Sequence, residues 1–162
     1  MSNGGLFKVS EVVQMAIDEE HNGKLFYGAL AERAKSPILR ESARRLARQE
    51  EYHEKRFTEM RDRLDAPATP ESYPGEYANY MNALLAGKTF PSEEGAVKLA
   101  QEAESDLHAV SVALLFEKNT LLFLSEMRGL VADRDRATVD ELIAEERQHL
   151  VDLSNIRTML AT

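Results

Sequence analysis

The chain has 162 residues, enough for one domain with a real core, and 43% of them are hydrophobic against 30% charged. That balance excludes a disordered chain, and a net charge of −8 excludes the basic footprint of a nucleic-acid or anionic-membrane binder. The absence of cysteine removes disulfides, thiolate metal sites, iron–sulfur clusters and cysteine nucleophiles together. No run of 18 apolar residues marks a membrane span, and MSNGGLFKVS lacks the apolar segment of an export signal, so a cytoplasmic protein is expected.

Helix formers dominate, and no stretch alternates with the period of a strand, so the fold class is all-α. Residues 1–8 read as a flexible N-terminus. A first helix is expected over residues 10–35, capped by Ser10, with Val13, Ile17, Tyr27 and Ala31 on its apolar stripe. Ser36-Pro37 opens a second helix that runs to about Leu64. DAPATPESYPG, residues 65–75, is a connection rich in turn formers. Residues 76–103 read as two short helices split between Gly87 and Pro91, with Ser92 capping the second. A third long helix spans about 105–131. A turn around Asp133 to Asp135 leads into a fourth that ends near Leu160. Two helical hairpins joined by a long crossover, residues 65–104, make a single-domain four-helix bundle over 1–162.

The two hairpins repeat one pattern. Glu20 aligns with Glu117, and a phenylalanine follows each by six residues, Phe26 and Phe123. LARQEEYHEKRF (46–57) aligns with LIAEERQHLVDL (142–153), matching Glu50-x-x-His53 to Glu146-x-x-His149. The helix from Glu20 to the first turn is roughly 22 Å long, and the return from Pro37 to Glu50 is roughly 20 Å, at 1.5 Å per residue. The same distances hold from Glu117 to Glu146. Four glutamates and two histidines therefore converge on one layer of the bundle. All six interrupt apolar stripes: Leu46, Glu50, His53, Phe57, Met60 and Leu64, for example, fall within about 80° on a helical wheel.

Four buried carboxylates without compensation are severely destabilising or are forced to protonate. No lysine or arginine shares all four stripes. Two divalent cations would balance four glutamates, with two neutral imidazoles as further ligands. The i, i+3 spacing places each Glu and His of a pair on one helix face. Mixed oxygen and nitrogen donors suit iron or manganese better than magnesium or calcium. A single Glu-x-x-His is more often surface decoration; two of them at matched spacing, each with its lone Glu, point to a site. A hydrogen-bonded polar layer is the competing structural explanation.

The set E-x-x-G-x-x-F-Y (Glu20 to Tyr27), LARQEEYH (46–53), FEKNTLLF (116–123) and AEERQH (144–149) resembles the rubrerythrin branch of the ferritin-like di-iron carboxylate superfamily. The resemblance implies a ferritin-like four-helix bundle holding two iron ions, with manganese or a mixed iron–manganese pair as alternatives. It implies that Glu20 and His53 serve one metal, that Glu117 and His149 serve the other, and that Glu50 and Glu146 bridge. Glu50 and Glu146 are thereby expected to take part in catalysis, with Tyr27 as a hydrogen-bond donor or radical trap. Two features depart from the family. The chain has no rubredoxin domain with its four cysteines, and Thr120 stands where rubrerythrins carry an extra glutamate three residues after the third-helix ligand.

The expected activity is an oxidoreductase acting on peroxide or dioxygen, supplied by an external electron donor, in a homodimer with no nucleic-acid or membrane partner. A ferroxidase or iron-binding protein is the alternative, and a metal-free helical module that binds other proteins is a third. Glu51 and Glu145 read as solvated neighbours of the site, and His21 and His108 as surface residues.

Overall fold

Serine hydroxyls start three of the helices. In the computed structural model, which describes residues 9–64 and 76–162, six helices follow in order: α1 (Val9–Arg33), α2 (Pro37–Asp62), α3 (Glu76–Ala86), α4 (Glu93–Gln101), α5 (Asp106–Arg128) and α6 (Asp133–Leu160). Ser36 accepts from the Leu39 amide, Ser92 from Gly95 and Ser105 from His108, each filling one of the donors a helix start leaves unpaired. Ser10 does not play that part, because α1 is already helical at Val9. The turn between the last two helices lies earlier than expected, over residues 129–132. Asp133 and Asp135 stand in the first turn of α6, where a carboxylate is favoured by the helix dipole. The expected flexible N-terminus and the proline-rich connection, residues 1–8 and 65–75, lie outside the described residues.

Two ties fix the topology. At one end, Asp106 at the start of α5 accepts from the Lys35 and Ser36 amides in the α1–α2 turn, at 3.1 and 2.6 Å. At the other end, Asp135 at the start of α6 lies 3.7 Å from Arg63, just after α2. The chain therefore leaves α2 at one end of the bundle and enters α5 at the opposite end. α1 pairs with α2 and α5 with α6 as antiparallel hairpins, and α1 also packs on α5 and α2 on α6. The crossover helix α4 lies along α1.

The core is split into two apolar layers. One holds Phe26, Tyr27, Leu30, Leu39, Leu46, Phe90, Phe116 and Leu153; the other holds Val13, Phe57, Met60, Met81, Leu124, Met127, Val139 and Leu142. On each long helix the change of layer falls in the short stretch between Ile17 and Phe26, Leu46 and Phe57, Phe116 and Phe123, or Ile143 and Leu153. Those four stretches carry Glu20, Glu50, His53, Glu117, Glu146 and His149.

α5 has the length and hydropathy, 1.4 over its best window, of a membrane span. Half of that window is buried inside the bundle, and Glu117 interrupts it, so its apolarity is that of a core helix.

Phe90, from the connection between α3 and α4, is fully buried, with its ring 4.8 Å from Phe26 and 4.7 Å from Phe116. It clamps the crossover onto the bundle. Phe90→Ala is expected to lower stability by about 3–5 kcal/mol in urea titration; a loss under about 1 kcal/mol would show that the crossover is not held by this ring.

Candidate metal centre

The six residues of the polar layer are buried to within 1% of full occlusion. They come from four helices, each ligand type on a matching helix of the other hairpin. His53 Nδ1 lies 2.7 Å from Glu146, 3.3 Å from Glu20 and 4.0 Å from Glu50. His149 Nδ1 lies 3.0 Å from Glu146, 3.4 Å from Glu117 and 3.4 Å from Glu50. The two imidazoles are nearly parallel, 5.6 Å apart. Two overlapping groups each present four donor atoms within 4.8 Å of one another: Glu20, Glu50, His53 and Glu146, and Glu50, Glu117, Glu146 and His149. Glu50 and Glu146 belong to both. The structure thus brings together all six residues that the sequence singled out.

Donor chemistry tests whether these residues suit a metal. Glu20 Oε1, both oxygens of Glu50 and Glu146 Oε1 are buried with no hydrogen-bond partner among the described residues. Glu146 Oε1 approaches His53 Nδ1 to 2.7 Å, yet the pair lacks hydrogen-bond alignment. Buried carboxylate oxygens left without a hydrogen-bond partner are what a cation would satisfy and what a fully hydrogen-bonded polar layer would not leave. The set fits two divalent metal ions with oxygen-rich, mixed-nitrogen ligation.

In the metal-free protein, protons must balance this charge. Burial pushes the Glu50 carboxyl well above its ordinary value, and the Glu146, Glu20 and Glu117 charges add to the effect. Burial and the Glu146 charge push Glu117 up to about 8, against the pull of His149. Burial opposes charge on the histidines, but the surrounding carboxylates prevail. Glu146 and Glu20 push His53 up to about 12, and Glu117 and Glu146 push His149 up to about 10. Glu146 moves the other way: burial disfavours its charge, but the hydrogen bond from His149 and the nearby His53 imidazole hold it well below the carboxylate range.

Neighbours hold the ligands in place. Tyr27 donates its hydroxyl to Glu117 Oε1. Burial and the Glu117 charge hold that hydroxyl well above its ordinary value, so it remains a donor. The Tyr27 ring packs edge-on against Phe116. Gly23, one turn after Glu20, leaves room for Phe116 and Glu50. A Cβ there would fall 2.6 Å from the Phe116 ring and 3.3 Å from Glu50 Oε2.

Glu51 is exposed, as expected, and so is His108. Glu145 is not simply solvated: its side chain is 37% exposed, but Oε2 pairs with His53 Nε2 at 2.8 Å. Its position before a ligand hid this role, because a helix neighbour points about 100° away from the ligand face; the contact arises across helices, from α6 to α2. His21 is half-buried and bridges elements, 3.0 Å from Glu54 on α2 and 3.3 Å from Glu93 on α4. Glu19 is buried beside Lys88 at 3.8 Å, and burial raises it to about 7. With Thr120, whose buried hydroxyl has no partner among the described residues, it lines a cavity of about 30 Å³.

Two outcomes follow for the metal-free protein. Between pH 6.5 and 8 the folded state holds protons on Glu117, His149 and His53 that the unfolded chain gives up, while Glu146 is ionised in both. Thermal stability should therefore fall as pH rises through that window, and metal uptake should tighten as the protons leave. A flat or rising midpoint by calorimetry would contradict this charge assignment. Gly23→Ala should lower stability by about 1–3 kcal/mol through displacement of Phe116. Chemical denaturation checks it, and an unchanged midpoint would show that the ring has room to move.

The sequence matches the rubrerythrin family model over residues 11–156. Among solved structures, the fold is similar to that of a ferritin-like diiron-carboxylate protein from Thermotoga maritima. The TM-score is 0.71 and the identity 22%, over 94% of this chain and 95% of that one. At that identity the likeness carries the fold. No curated protein matches the sequence. The family model covers nearly the whole chain, and the chain belongs to the rubrerythrin family.

Proposed function

We propose that the protein binds two iron ions through Glu20, Glu50, His53, Glu117, Glu146 and His149 and reduces peroxide or dioxygen with electrons from an external donor. The observation that carries this reading is the pair of four-donor groups sharing Glu50 and Glu146, with carboxylate oxygens that have no protein donor. Family membership supports iron over manganese, and the Thermotoga fold relative is itself described as a diiron-carboxylate protein.

When bound, two ferrous ions supply the two electrons that convert one peroxide and two protons to two waters. The chain's own residues do the rest. Glu20 with His53, and Glu117 with His149, would each hold one ion, and Glu50 and Glu146, which belong to both donor groups, would contribute to both. The carboxylates would supply oxygen ligands to ions that change oxidation state. Tyr27 holds the Glu117 carboxylate by donating to one of its oxygens. The small cavity beside Glu19 and Thr120 has room for a water-sized molecule next to two ligand-bearing helices. The apolar layers on either side keep bulk water out. Exposed Leu115, Leu122, Val151 and Met159 on α5 and α6 support a homodimer, and the net charge of −8 argues against nucleic-acid partners.

Stopped-flow mixing of the anaerobically ferrous-loaded protein with peroxide should oxidise two irons per chain, far faster than ferrous ion in buffer. Glu50→Ala and His149→Ala should each abolish at least one equivalent of iron. Oxidation of many irons per chain in repeated additions would favour a ferroxidase instead. Oxidation no faster than in buffer would overturn the oxidoreductase reading. Unchanged or improved stability of both variants, with no metal bound by the parent, would leave a helical interaction module.

A further inference from the structure

The bundle's repeat extends one step beyond the six ligands, and there the halves differ. Glu145, the residue before Glu146, pairs with His53 Nε2 at 2.8 Å. The matching residue before Glu50 is Gln49, and its match among the histidines is His149. Both Gln49 Oε1 and His149 Nε2 are buried, and neither has a hydrogen-bond partner among the described residues.

A second observation sets these two groups at about one level of the bundle. α2 and α6 run antiparallel, and the ion pairs between them set their register. Arg45 meets Asp152 at 2.8 Å, His53 meets Glu145 at 2.8 Å and Arg56 meets Glu141 at 3.4 Å. Gln49 lies midway between Arg45 and His53, one turn from each. The midpoint between Asp152 and Glu145 falls between Gln148, which is exposed, and His149, which is buried. The register thus brings a lone buried acceptor and a lone buried ring nitrogen to about the same level of one helix pair.

We propose that Glu145 and Gln49 are the positioning residues of the two histidines, accepting the Nε2 protons of His53 and His149, and that carboxylate against amide makes the two metal positions unequal. An acceptor on Nε2 fixes the tautomer that leaves the Nδ1 lone pair free to face the cluster. A carboxylate acceptor raises the basicity of that lone pair more than a neutral amide does, because a charged hydrogen bond is the stronger one. The position held by Glu20 and His53 is therefore the tighter of the two, and it fills first. The asymmetry gives a nearly two-fold site a preferred order of loading.

This inference rests on the two-metal reading above, and the test separates the two. Metal-free protein is titrated anaerobically with Co²⁺, followed by its visible absorption and by calorimetry. The parent should take two ions in two unequal steps. E145Q should weaken the tighter step about tenfold or more while leaving the weaker one in place. Q49E should do the reverse, strengthening the weaker step and leaving the tighter one in place. Opposite changes on opposite steps are what a general loss of folding would not produce. If either variant moves both steps together, or if the ratio of the steps is unchanged in both, the positioning roles are wrong while the two-metal site stands. A parent that binds no Co²⁺ would overturn both.

Discussion

Four carboxylates packed into the middle of a helical bundle are the constraint on which the rest of this structure depends. They sit between two apolar layers, in a region where an uncompensated charge is severely destabilising. The metal-free protein meets the problem with protons, holding Glu50 and Glu117 toward their neutral forms and both imidazoles toward their charged ones. Divalent ions would meet it without protons. The same six side chains thus account for the buried oxygens that lack donors, for the opposing behaviour of Glu146 and for the direction in which pH should act.

The fold serves this layer. Asp106 ties the start of α5 to the α1–α2 turn, and Asp135 ties the start of α6 to the end of α2, so the two hairpins meet at matched heights. Similar helix lengths on either side of each turn return Glu50 to Glu20 and Glu146 to Glu117. Phe90 brings the crossover down onto Phe26 and Phe116, closing the apolar layer beside the site. Gly23 is small because that ring and Glu50 already occupy the space a side chain would need.

Most of the site was legible in the sequence because it is written twice. One Glu-x-x-His means little, but a second at matched spacing, each with a lone glutamate on the preceding helix, predicts convergence from helix geometry alone. The helices followed from serine caps and proline, and they failed at Ser10 and at the last turn. There the local signal was ambiguous: a serine one residue inside a helix looks like a cap, and acidic residues suit a turn and a first helical turn equally. Glu145 was misread because its partner lies on another helix, and pairing across helices leaves no periodic trace. His21 was misread for the same reason, since Glu93 reaches it from the crossover. The shared level of Gln49 and His149 became visible only once the register of α2 against α6 was known.

The chain belongs to the rubrerythrin family and has a ferritin-like fold, and the chemistry it performs rests on whether the layer holds metal. The most direct measurement is metal content by mass spectrometry on protein purified without a metal-affinity step, from cells supplied with both iron and manganese. The account predicts close to two irons per chain. Less than a few tenths of any transition metal, persisting after anaerobic ferrous loading, would contradict it and leave the buried carboxylates as a protonated structural layer.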